Sequence, residues 1–172
     1  PARRIEVYLN LTQARLDRFE AFRQKPAHPQ YDYGGYLEEL LVEYIGVNEE
    51  LKNWVEYQHS RGGDMRQGLR ALLERGAQQL ATLRRIQQSP DEYASDYEQS
   101  LKDALDQLTD MLDGGTRALA EQVKKLGELK QQEKEVERLA KQRTKEEARR
   151  SKEEKKLRKR QGKTRVPAQE EE

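Results

Sequence analysis

The chain contains no cysteine. Disulfides, thiol nucleophiles and cysteine-ligated zinc or iron–sulfur centres are thereby excluded, and the absence fits an intracellular protein. Histidine is nearly as scarce, with two residues, His28 and His59, each beside a loop and each short of the converging partners that a metal site needs. Five prolines and eleven glycines are too few for a Pro/Gly-rich linker protein. No apolar run approaches the roughly 20 residues that cross a bilayer. The opening Pro1-Ala2-Arg3-Arg4 lacks the apolar core of a secretion signal and reads as a chain start after methionine removal, or as the start of a fragment. The expected location is intracellular: cytoplasmic or, in a eukaryote, nuclear.

Hydrophobic residues are also sparse, at 34%, against 38% charged, and mean hydropathy is -1.18. A compact globule of 172 residues is usually nearer half apolar. Long helices that each bury one stripe accommodate this composition, as does a small core with a solvated arm. The net charge of +1 conceals segregated blocks. Residues 1–30 carry +3, 31–60 carry -6, 61–90 carry +4, 91–113 carry -7 and 141–166 carry +9. Alternating blocks suit self-association or docking as readily as nucleic-acid binding.

Along the chain, residues 4–25 admit two readings. Ile5, Val7, Leu9 and Leu11 alternate as a strand does, while Ile5, Leu9, Leu16, Phe19 and Phe22 repeat as a helix does. Residues 26–35, with Pro26, Pro29 and Gly34-Gly35, form a loop. Leu37, Leu40, Leu41, Tyr44, Ile45, Leu51, Trp54 and Val55 place a helix over 36–59, with Gly46 marking a bend or an end. Arg61-Gly62-Gly63-Asp64 breaks the chain and caps a third helix over 65–88, whose stripe is Met65, Leu69, Leu72, Leu73, Leu80, Leu83 and Ile86. Ser89-Pro90-Asp91-Glu92 has the composition of a helix start, and Tyr93, Tyr97, Leu101, Leu105, Leu108 and Leu112 define a fourth helix over 91–112. The third helix is basic on its outer face and the fourth acidic, so a hairpin of the two aligns opposite charges. Gly114-Gly115 ends or interrupts the fourth helix. A last helix begins near Thr116, where Leu119, Leu126, Leu129, Val136 and Ala140 sketch a heptad stripe broken by Glu133.

No pattern supplies a catalytic frame. Glu56-Tyr57-Gln58-His59 matches the Glu-x-x-His spacing of di-iron bundles once, without a second copy. Paired carboxylates are too common in this chain to single any out. The glycine pairs lack a phosphate-loop pattern, and Gly162-Lys163-Thr164 has neither an upstream glycine nor a preceding strand. No catalytic, cofactor-binding or metal-binding residue and no small-molecule substrate is expected.

Two groups of residues point to macromolecular partners. Tyr31, Tyr33 and Tyr36 form either an amphipathic surface for a protein partner or a cover over a thin core. With Leu119, Leu126, Leu129 and Val136 they are the candidate partner-binding residues. Arg149, Arg150, Lys155, Lys156, Arg158, Lys159 and Arg160 are the candidate nucleic-acid-binding residues, because a basic segment meets phosphate by charge alone. Interspersed glutamates leave protein docking or a solvated arm as alternatives for 141–166. The opening Arg4-Ile5-Glu6-Val7-Tyr8-Leu9, followed by Leu16 and Phe19 and then by Leu40, Leu41 and Ile45, resembles the ribbon-helix-helix DNA-binding pattern over residues 4–46. That resemblance implies a strand paired between two subunits, with Glu6 and Tyr8 facing bases and Arg4 alongside; the loop at 26–35 is longer than that motif normally has.

The expected fold is mainly α: a small helical bundle (1–113), a long, highly charged helix or coiled-coil arm (116–160) and a disordered tail (161–172), with a short N-terminal strand as an option. The expected function is a non-catalytic structural or assembly subunit that binds a protein partner or a second copy. A nucleic-acid-binding accessory role is the alternative.

Overall fold

Strong helix formers fill most of the chain, and proline and paired glycine interrupt them at few places. The computed structural model describes residues 2–26, 28 and 30–163, with side chains described as far as Glu153. It contains four helices: α1 (Ala2–Arg23), α2 (Tyr33–Ser60), α3 (Arg66–Gln88) and α4 (Ala94–Lys163). The described residues form no β-strand; an isolated bridge between His28 and Tyr31 is the one β-type pairing among them. The described residues fall into two units, within Pro1–Lys124 and within Lys125–Glu172.

The N-terminal segment is helical, which corrects the strand option and the ribbon-helix-helix expectation. Burial explains the outcome. Ile5, Tyr8, Leu9, Thr12, Leu16 and Phe19 are buried at helical spacing, while Val7 and Leu11, which a strand would bury with Ile5 and Leu9, are 51% and 39% exposed. Tyr8 is therefore a core residue.

Asp32 starts α2, its Oδ1 accepting the Gly35 N–H at 2.8 Å. The helix runs unbroken through Gly46. The turn into α3 depends on Gly62, at φ +70°, a left-handed conformation open to glycine at little cost. Its N–H donates to the His59 carbonyl at 3.0 Å. Asp64 accepts the Arg66 N–H at 3.1 Å, covering one of the unpaired donors at the start of α3.

The turn from α3 to α4 differs from its sequence reading. Ser89 closes α3, donating its N–H to the carbonyls of Arg85 and Ile86. Asp91 organises the next turn, its Oδ1 accepting the Tyr93 N–H at 2.9 Å, and α4 starts three residues later than expected. It then continues through Gly114-Gly115 without a break. Two glycines cost a helix interior only about 1 kcal/mol each, and the Gly115 Cα lies where a Cβ would already meet Leu72 and Leu73 at 3.4–3.5 Å.

The core forms where the four stripes meet within 1–124. Helix α1 packs on α2 and α3, and α4 closes the bundle through Tyr97, Leu101, Ala104, Leu105, Leu108 and Met111. Phe19 meets Tyr97 edge-to-face with centroids 5.0 Å apart. Two small residues permit close helix approach. A Cβ on Gly68 would fall 2.5 Å from Ile5 Cδ1, and one on Gly76 would fall 2.6 Å from Leu112 Cδ2. Among the described residues, the basic face of α3 and the acidic face of α4 exchange no contact within ion-pair distance; Arg85 reaches Glu20 of α1 and Arg66 reaches Asp64. Exposed pairs are worth about 0–1 kcal/mol and do not direct packing that leucine burial decides.

Candidate functional site

Three polar or open features interrupt the apolar core. The first clasps the end of α1 to the α3–α4 turn. Asp91 Oδ2 accepts from Arg23 Nε at 2.9 Å and from the Tyr97 hydroxyl at 2.8 Å. Arg23 also donates to the Ser89 carbonyl, and the Tyr93 hydroxyl donates to the Lys25 carbonyl at 3.1 Å. Burial first, and the Asp91 carboxylate second, push the Tyr97 phenol above its ordinary range. These hydrogen bonds tie the end of α1 to the turn between α3 and α4.

The second feature lies inside the bundle. The Tyr44 hydroxyl donates to Gln79 Oε1 at 2.9 Å, and Gln79 Nε2 donates to Thr12 Oγ1 at 2.9 Å. The Thr12 hydroxyl in turn donates to the Leu9 carbonyl at 3.1 Å. Desolvation raises the Tyr44 phenol far above its ordinary value. Buried Asn48, one turn on, opposes that shift weakly, yet its amide atoms make no hydrogen bond of good geometry. This network joins α1, α2 and α3 and fixes their register. Neither histidine belongs to it.

The third is a groove of about 430 Å³ between α2 and α4. Val55, Leu72, Met111 and Ala118 give it an apolar floor, and Gly114 and Gly115 leave it open. Its rim carries both signs: Lys52 and Arg117 against Glu56, Asp110 and Glu121. His59 sits on this rim with Nε2 3.3 Å from Glu121 Oε2, so its nearest carboxylate comes from α4, not from Glu56 in its own helix. Ser60 Oγ, on the same rim, donates to the Tyr57 carbonyl at 2.8 Å. No group of three or more His, Cys, Asp or Glu among the described residues could hold a metal ion. No described helix is long and apolar enough to cross a membrane.

The candidate partner-binding residues divide. Tyr33 and Tyr36 pack against the core; Phe22 contacts both, and Tyr33 also contacts Tyr93. Tyr31 is 61% exposed and stacks on Tyr33. Leu119 also packs against the core, and Leu126 is half-buried. Leu129 and Val136 are exposed by 56% and 66%, as is Leu139 by 46%. Arg149 and Arg150 are exposed on α4. Lys155, Lys156, Arg158, Lys159 and Arg160 fall in the helical stretch, but their side chains lie outside the described residues. Of the expected tail, 161–163 complete α4 and 164–172 lie outside the described residues.

Sequence reasoning missed Asp91 as a clasp and Gln79 as a core residue. A signal for Gln79 was present: it falls at the helical spacing between Leu72, Gly76 and Leu83. The fold and these features define a class: an all-helical, four-helix protein without a recognisable catalytic motif among its described residues. No family model, curated protein or solved structure matches the chain.

Proposed function

We propose that the chain is a non-catalytic assembly protein that docks a partner helix along α4. The observation that carries this reading is the stripe that starts at half-buried Leu126 and continues at heptad-like spacing through Leu129, Val136 and Ala140, all three of them exposed. Exposed leucine and valine at that spacing gain from a facing helix, since each buried side chain contributes roughly 1.5–3 kcal/mol.

The test compares the full chain with a Leu129→Glu/Val136→Glu variant as bait in a pull-down. The reading expects bound proteins that the variant loses, with unchanged helicity by circular dichroism. Identical captured sets for both baits would remove it. A second reading, phosphate-backbone binding, is favoured by the +9 charge of 141–166. It expects binding to DNA or RNA whose log affinity falls linearly with log salt and that disappears when 141–166 is deleted.

A further inference from the structure

We infer that the helix covering this face of α4 is the same segment of a second copy of the chain, laid antiparallel. The inference rests on the docking reading above and names its partner. Counting heptads from Leu119, the seam positions are 119, 122, 126, 129, 133, 136, 140 and 143, and the flanking positions include Lys125, Lys130, Glu137 and Glu146. All of these from 123 onward except Leu126 are exposed.

Charge decides between the two ways of pairing copies. A parallel, in-register pair sets each seam residue against itself. Glu133 would face Glu133 and Arg143 would face Arg143, while Lys125 would flank Lys130 of the other copy. All three are like-charge contacts. An antiparallel pair with Leu129 opposite Ala140 removes them. Glu133 then lies opposite Val136, and Leu126 lies opposite Arg143, whose apolar stem covers the leucine while its guanidinium reaches water. The flanking pairs become Lys125 with Glu146 and Lys130 with Glu137, each formed twice by the two-fold axis. Glu137 already takes Lys141 on Oε1 at 2.6 Å, leaving Oε2 for the Lys130 of the second copy. Such flanking pairs set orientation more than affinity, and the leucines supply the attraction.

The test uses the full chain. Sedimentation equilibrium at about 50 mM salt, where surface charges are weakly screened, is expected to show a dimer. Lys130→Glu is expected to weaken it about tenfold, since two pairs reverse sign at once. Adding Glu137→Lys in the same chain restores it. In a parallel dimer Lys130→Glu would instead tighten association by relieving Lys125. Orientation is read separately by oxidising Leu129→Cys and Ala140→Cys chains, which the cysteine-free background permits. Cross-linking in the mixture and not in either chain alone is the antiparallel result; a 129–129 cross-link overturns the inference. A monomer at every concentration also overturns it. If the pull-down still depends on Leu129 and Val136, the docking reading then survives with a foreign partner; if it does not, both fall.

Discussion

Leu119 and Val136 belong to one apolar stripe on one helix, yet they end in different states. Leu119 packs against a core, and Val136 is two-thirds exposed. The contrast extends to their surroundings. Within 1–124 the stripes of four helices find each other and enclose aromatic contacts and a hydrogen-bonded polar network. From 127 to 153 every described residue is exposed. That stretch is held by helix propensity and by pairs such as Lys141–Glu137, each worth about 0.3–0.5 kcal/mol. Periodicity tells which face of a helix is apolar; it does not tell what covers that face. The same pattern serves as core where the chain supplies its own neighbours and as a docking seam where it does not.

The sharpest way to break this comparison is to delete equivalent apolar groups in each region. Phe19→Ala removes a fully buried ring that stacks edge-on against Tyr97 and is expected to cost about 3–5 kcal/mol in urea unfolding. Val136→Ala is expected to shift unfolding of the isolated chain by less than about 0.5 kcal/mol. Equal losses from the two would show that the distal stripe is already buried in the free protein.

Ion pairs separate the regions next. Asp91→Ala strands Arg23, whose side chain is only 13% exposed, and also frees the Tyr97 hydroxyl. The expected loss is about 2–3 kcal/mol. Glu137→Ala removes an exposed pair of shorter separation and is expected to change stability by less than about 0.5 kcal/mol. Chemical denaturation of both variants checks this, and a cost for Asp91→Ala below that of Glu137→Ala would contradict the clasp.

How much of this could be seen in the residues alone follows the same division. The stripes of α2, α3 and the first part of α4 were legible because leucine recurs at three and four residues, and the bundle followed from them. At 4–11 two periods competed in one short run. Helix prevailed because Tyr8 and Thr12, neither counted as core by hydrophobicity, complete its buried face. Gly114-Gly115 looked like a break because local propensity says so, but the flanking helix formers outweigh it, and a Cβ at Gly115 would already meet Leu72 and Leu73. The clasp was hidden because Arg23 and Asp91 lie 68 residues apart; charge in a sequence does not say which opposite charge it will meet. The exposed stripe at 126–140 was legible as a pattern, while its covering depends on a molecule outside the chain.

Glycines give a smaller contrast of opposite sign. A Cβ at Gly68 would sit 2.5 Å from Ile5 Cδ1 and 3.1 Å from the Ala2 Cα. Gly68→Ala therefore gains helix propensity but forces α1 and α3 apart, for an expected net loss of about 1–2 kcal/mol. At Gly127 a Cβ would meet nothing within 4 Å. Gly127→Ala is expected to stabilise its helix by about 0.5–1 kcal/mol, visible as raised helicity. A loss of helicity at 127, or a gain of stability at 68, would reverse the assignment of packed and open faces.

The smallest effect concerns acid. Asp64 accepts hydrogen bonds from the Arg66 side chain and backbone, and these hold its carboxyl down from the ordinary 3.8 to about 2. A carboxylate depressed in the folded state binds protons more readily once unfolded. Its contribution is therefore complete above about pH 4 and is lost as pH falls through about 2. Solvent screens the exposed pair, so the effect on the melting point is small. Asp64→Asn is expected to melt slightly below the unsubstituted chain at pH 7 and to converge with it by about pH 2. Melting curves at pH 7, 4 and 2 decide the matter: a gap that stays constant across that series would mean that Asp64 acts through the shape of the turn into α3, and that its charge is irrelevant to the 1–124 unit.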